Sequence, residues 1–415
     1  MWARAHSAVA APSMTQRPRL SVITATPPGF NPGMLASQVA ARWFLRRHQL
    51  DGDATYFRLM PIADRLSHLD PVTQAACLQR IDDGIDYQVL LHPDQLTDTT
   101  PLYWGDLLHM RQYLDSIRGL LSASSSTPED LLLLKQSSLD LVRRVVSFGT
   151  TFLYHSASDL TDDEYGPPFQ RFLTNARLVM PRDIVSLAQL AAVVPEGPVA
   201  LGLDATQLFC GGADWREAFP EGTDQSLASP DALLCYFARG QHDVADLRQA
   251  VSVFSRGFGQ PVHWLPWGDR LSFPRGGEYE GQLGVQDLAG GQQPRLSALL
   301  EAVAAAKCVF TDTYHVAVIA WSLGTPAMIV CGDHWPRDYN AVIDKRYVFC
   351  VQHGLQDFFL KNVRDHHAVA SYIQRGVELV ADGKALRWYR EAVRQRVEMI
   401  EPQLAGLLRE AGSSV

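Results

Sequence analysis

The stretch CVFTDTYHVAVIAWSLGTPAMIV, residues 308–330, decides the fold. A short strand-like run ends at Asp312, and His315 opens an apolar segment with helical spacing. Gly324 closes that segment as a C′ glycine does, and a second strand begins at Pro326. Strand, helix and strand packed this closely require parallel strands joined by a right-handed crossover. His315 is therefore predicted at a strand-to-helix turn, beside N–H groups and the positive end of a helix dipole. Thr311 and Thr313 add hydroxyls. Such a turn suits an anion and favours a neutral imidazole. The plain alternative is an N-terminal cap cluster in which the histidine only packs.

Working outward, the same alternation fills the second half of the chain. Strand 232–238 leads to a helix from about Asp243, then come strand 261–267, a Gly-rich loop over 275–291 and helix 295–306. The first half reads as strand 20–25, helix 34–48, strand 87–91 and a long helical region from Leu107. That region is interrupted at 122–130, where Thr127, Pro128, Glu129 and Asp130 restart a helix. Leu131, Leu134, Leu141, Val142 and Val145 would then form one apolar stripe. Strands are predicted at 150–154, 176–180 and 198–203.

Residues 210–230, rich in Gly, Pro and charge, give the best inter-domain boundary. The chain thus divides into a disordered leader over 1–18, a first domain over 19–209, a linker over 210–230, a second domain over 231–384 and a helical tail over 385–415. The expected fold class is α/β, with two Rossmann-like domains facing a cleft and the C-terminal helix packing back across both.

Composition narrows the function. The 415 residues are 47% apolar and 20% charged, a globular balance, and 37 basic against 45 acidic residues leave a net charge of −8. No basic excess points to nucleic acid. The six cysteines (77, 210, 235, 308, 331 and 350) show no CxxC spacing, which predicts buried thiols in a reducing compartment. No apolar run approaches the roughly 18 residues of a membrane span, so a cytoplasmic protein is expected. With no Walker A motif, dinucleotide fingerprint or metal-ligand spacing, neither a nucleotide cofactor nor a metal is expected.

TDTYH followed by an apolar helix and G-T-P resembles the histidine segment of the polysaccharide pyruvyl transferases. The likeness extends to RLVMPRDIVSLAQLAAVVPEGPVALGLDATQLF (177–209), ALLCYFARG (232–240) and QQPRLSALLEAVAAAKCVF (292–310), and faintly to GFNPG (29–33). It implies a GT-B-like fold and transfer of a pyruvyl group from phosphoenolpyruvate to a hydroxylated acceptor, such as a sugar, a glycan precursor or a secondary metabolite. On that reading His315 is the acid/base, and the donor contacts are Arg182, Arg239, Thr311 and Thr313, with Arg337 and Lys345 behind them. The acceptor side is formed by Asn31, Trp104 and Asp106 of the exposed-looking W-G-D at 104–106. Guanidinium forks suit the phosphate and carboxylate of such a donor, and a histidine suits the proton traffic.

The chain departs from the family pattern at Thr313, where arginine is common, at Val316 and Met34, where glycine and aspartate are usual, and at His92–Gln95 in place of a double glycine. Two alternatives follow: a GT-B glycosyltransferase using a nucleotide sugar, and a catalytically silent binding or scaffold homologue.

Overall fold

The computed structural model describes residues 19–25, 30–59, 70–79, 84–108, 126–155, 157–211, 214–219, 222–238, 242–268, 276–292, 294–332 and 344–412. The first sheet contains β1 (Leu20–Thr24), β2 (Ala54–Arg58), β3 (Tyr87–Val89), β4 (Thr100–Trp104), β5 (Val146–Phe148) and β6 (Leu178–Met180). The second contains β7 (Leu233–Tyr236), β8 (Val262–Trp264), β9 (Gln286–Asp287), β10 (Cys308–Thr311), β11 (Ala327–Val330) and β12 (Phe359–Leu360). Their orders are β3-β2-β1-β4-β5-β6 and β12-β11-β10-β7-β8-β9, parallel throughout. Each is the doubly wound order with one reversal, between β1 and β4 in the first sheet and between β7 and β10 in the second. Crevices at such reversals, outside the carboxyl ends of the strands, are where open α/β sheets bind ligands. The architecture is the GT-B-like pair of Rossmann-like domains.

One buried core runs from the first domain into the second. It passes through Trp43 and Phe44 on the Pro32–Arg47 helix, through Phe209 and Trp215, and into Leu299, Val316 and Trp321. Residues 214–219, inside the segment expected to be a loose linker, belong to this core: Trp215 and Phe219 are buried, and Arg216 clasps Glu301 at 2.5 and 2.7 Å. The helix Lys384–Gly412 packs back across both domains as expected. Arg47–Glu401 (2.9 Å), Arg177–Glu410 (3.0 Å) and a bond from Arg396 to the Leu201 carbonyl (3.0 Å) tie it to the first domain. The Tyr389 ring rests on Trp321 of the second.

Several local expectations change. The apolar stripe over 131–145 is not one helix. Pro128–Leu132 and Leu139–Val142 are separate short helices, and Leu134 between them has φ of 51°. Arg171 takes the carbonyls of Leu134 and Ser137 at 2.8 and 2.6 Å, which supplies from outside the partners that a continuous helix would supply from within. The five residues are nonetheless buried. The strand expected at 150–154 lies earlier, at β5, because the chain turns at Gly149 (φ 82°). Segment 198–203 makes a single bridge, Val179 to Val199. Of the helical region expected from Leu107, the described residues show a short 3-10 turn, Asp106–Leu108, and then the two short helices after Thr127; 109–125 lie outside the described residues, as do the leader over 1–18, Arg239 and Arg337. No described helix is long and apolar enough to cross a membrane.

Candidate functional site

The reversal in the first sheet opens into a cavity of about 350 Å³ lined by the first domain, to which the second domain contributes His315. The carboxyl end of β1 contributes Thr24 and Ala25, the end of β4 contributes Asp106, and the end of β10 contributes His315. Gly105, at φ 71° and hydrogen-bonded to the Phe148 carbonyl at 2.9 Å, turns the chain so that Asp106 enters the cavity. His315 is the second residue of the Tyr314–Leu323 helix. Its Nε2 lies 3.7 Å from Asp106 Oδ2, so two domains each supply one half of the pair.

Arg182 organises the floor. Its Nη1 lies 2.8 Å from Asp106 and 3.2 Å from Asp204, and its guanidinium stacks on the Tyr314 ring at 4.4 Å. Asp204 caps the 3-10 turn Ala205–Cys210 with one oxygen and accepts from Tyr314 Oη at 3.3 Å with the other. The buried Arg182 Nη2 has no hydrogen-bond partner among the described residues. Behind this wall lies a second cavity of about 260 Å³, lined by Arg182, Tyr314, Lys345, Gln207, Gln352 and His353.

The electrostatics follow from burial. Burial pushes the His315 imidazole down to about 4; Lys345 and Arg182 add to the shift, while Asp204 and Asp106 oppose it. The ring is therefore neutral at pH 7, with a lone pair available. His353 is likewise held at about 4, by burial and then by Arg396.

The structure brings His315, Arg182 and Asp106 together and places Lys345 in the adjoining cavity. It does not bring the threonine hydroxyls to them. Thr311 donates to the Tyr236 carbonyl at 2.6 Å and Thr313 to Asp312 at 3.0 Å, both fully buried behind the turn. Asn31 caps the Pro32–Arg47 helix, accepting from Met34 N at 3.4 Å. W-G-D is not exposed: Trp104 is buried and donates to the Ser37 carbonyl at 2.8 Å, because β4 is a central strand. Gln38, Asp204 and Tyr314 were missed as site residues. Asp204 follows the apolar run VALGL, and such a strand-end carboxylate was the available signal. Among the described residues no group of three or more His, Cys, Asp or Glu is arranged to hold a metal.

No protein-family model matches the chain, so the likeness to the pyruvyl transferases rests on its motif residues alone. No curated protein matches it in sequence. Solved structures of similar shape include Staphylococcus aureus MnaA in a co-structure with UDP, at 10% identity and TM-score 0.49 over 91% of each chain. A putative UDP-N-acetylglucosamine 2-epimerase from Listeria monocytogenes is 11% identical, with TM-score 0.48 over 93% of this chain and 95% of that one. The α,α-trehalose 6-phosphate synthase of Burkholderia multivorans is 10% identical, with TM-score 0.48 over 96% of this chain and all of that one.

Proposed function

We propose that the chain is a glycosyltransferase that moves a sugar from a nucleotide sugar to a hydroxyl seated beside His315. The neutral imidazole takes the hydroxyl proton on Nε2, the freed oxygen attacks the anomeric carbon, and the nucleoside diphosphate leaves with the electrons of the broken bond. Asp106, at 3.7 Å, stabilises the imidazolium as it forms. A base of this kind contributes on the order of 10²- to 10⁴-fold to the rate.

The observation that carries this reading is the pairing of Arg182 with both Asp106 and Asp204. The charge of Arg182, which the described residues place on the cavity wall, is matched twice over, and the carboxylates of Asp106 and Asp204 line the cavity together with the imidazole. Those groups suit the neutral hydroxyls of a sugar. Phosphoenolpyruvate is small, so protonation of its methylene carbon by His315 would press its carboxylate and phosphate against the two aspartates. A nucleotide sugar brings neutral ring hydroxyls as well, and its diphosphate leaves the anomeric carbon from the face opposite the attacking hydroxyl. Pyruvyl transfer is the second reading, and the TDTYH segment with its flanking blocks is what favours it.

A thermal-shift comparison of UDP-, GDP- and TDP-sugars against phosphoenolpyruvate tests both. A ligand at 100 times its dissociation constant stabilises by about 2.7 kcal/mol. Stabilisation by a nucleotide sugar, with nucleoside diphosphate release lost in His315→Ala, is expected. Stabilisation by phosphoenolpyruvate alone would replace this reading with pyruvyl transfer, and no response to any donor would favour a silent homologue.

A further inference from the structure

Gly33 stands in the first turn of the Pro32–Arg47 helix, where an alanine would be the better helix former. Its φ is not in the left-handed region, so the backbone does not demand a glycine. The neighbouring domain does. A Cβ built on Gly33 would lie 2.4 Å from His315 Cβ, 2.6 Å from Cγ and 2.8 Å from Nδ1. The first of these atoms is at the root of the side chain, so a rotation of the ring could not relieve the collision, and the start of the His315 helix would have to withdraw. The Nδ1 edge thus lies on Gly33 while the Nε2 edge faces Asp106 across 3.7 Å.

We propose that Gly33 is a positioning residue for His315: the space left by its missing side chain is the seat of the imidazole, so the ring is aimed at Asp106 by the domain to which it does not belong. The proposal takes from the preceding section only that His315 does the chemistry. It follows that the pair is assembled only while the two domains are closed on one another, and that drawing the helix bearing Gly33 away from the turn bearing His315 separates the imidazole from both Gly33 and Asp106.

A double-mutant cycle tests the seat without any activity assay. Gly33→Ala is expected to lower the unfolding midpoint by several degrees in the native background and to leave it unchanged in a His315→Gly background, where neither ring nor Cβ is left to meet. An equal loss in both backgrounds overturns the proposal. If Gly33→Ala alone fails to fold, a folded Gly33→Ala/His315→Gly protein supports the seat and an unfolded one overturns it. Gly281→Ala, where a Cβ would meet nothing within 4 Å, is the control and should change nothing.

A second readout is the titration of His315 by NMR with labelled histidine. The groups facing the ring are Asp106, Asp204, Lys345 and Arg182, and burial outweighs them. Displacement by Gly33→Ala should therefore raise the midpoint from about 4 toward the ordinary histidine value near 6.5. An unmoved midpoint in a folded variant overturns the proposal. The two ideas fail separately: loss of turnover in His315→Ala with additive Gly33 effects would sink the seat alone. Non-additive effects in a protein that turns over no donor would sink the glycosyltransferase reading alone.

Discussion

Two arginines lie buried at the carboxyl ends of the two sheets, and they are satisfied in opposite ways. Arg346, in the second domain, has every nitrogen engaged. Nε and Nη2 bind Asp344 at 2.9 and 2.5 Å, Nη1 binds the Asp312 carbonyl at 2.5 Å, and Nη2 also reaches Cys331 Sγ at 2.9 Å. Arg182, in the first domain, presents Nη1 to two aspartates, lays its plane on Tyr314 and leaves Nη2 without a partner among the described residues. A buried donor left unmade costs roughly 1–3 kcal/mol. The contrast teaches which arginine is a rivet and which is held ready: Arg346 fixes the start of the Lys345–Gln352 helix to the ends of β10 and β11, whereas Arg182 keeps hydrogen-bonding capacity at the wall between two cavities.

The largest effect should come from breaking the rivet. Arg346→Met leaves Asp344 and the Asp312 carbonyl buried without their donor, and removing one member of a buried ion pair costs roughly 3–5 kcal/mol. Urea unfolding should show that loss, and a loss below about 1 kcal/mol would erase the distinction drawn between the two arginines. Next in size is Arg182→Lys. A point charge cannot serve Asp106 and Asp204 while stacking on Tyr314, so stability should fall by only about 1–3 kcal/mol while donor-dependent thermal stabilisation disappears. Retained ligand response would show that Arg182 is structural after all.

The effect that is smallest near pH 7 grows as pH falls. His315 and His353 line the cavities on either side of Arg182, and both are held at about 4 by burial. Between about 6.5 and 4 the unfolded chain binds protons that the folded chain refuses, so stability falls as pH falls through that window, by at most about 3 kcal/mol for each histidine. The Arg346 side responds later. Burial alone would raise the Asp344 carboxyl, but hydrogen bonds from Arg346 more than reverse this and hold it below its ordinary value of 3.8. Its contribution is present above that value and lost only as pH falls further. Melting curves across pH 7 to 4 should slope downward, and His353→Gln should flatten part of the slope. An unsloped wild type would contradict the burial of both rings.

How much of this was legible in the sequence depends on whether the signal was local. β10, the His315 helix, Gly324 and β11 were readable because strand, cap, helix and glycine stop follow one another without interruption. The Asp243 and Thr127 caps were readable for the same reason. β4 was not, because Pro101 sits in the middle of TPLYW and a proline argues against a central strand. The short helices near Leu134 hid behind a helical period, since Arg171, far along the chain, supplies the partners that break it. At the site, His315 and Arg182 were found from their positions at strand ends, whereas Asp106 was reached only through the W-G-D that looked exposed and is largely buried instead. Their mutual pairing was not found, nor was the withdrawal of Thr311 and Thr313 behind the turn. Hydroxyl direction and cross-domain charge matching depend on which loops meet in space, which no period or spacing along the chain encodes.

The long helix Lys384–Gly412 has a consequence for biosynthesis. Both sheets are complete by β12, at Leu360, before this helix leaves the ribosome. The contacts it makes, through Arg47, Arg177 and Leu201 on one lobe and Trp321 on the other, therefore become possible only after every strand has been synthesised, and they add to the core that the two lobes share. The sheets can thus form before the helix that braces one lobe against the other has been made.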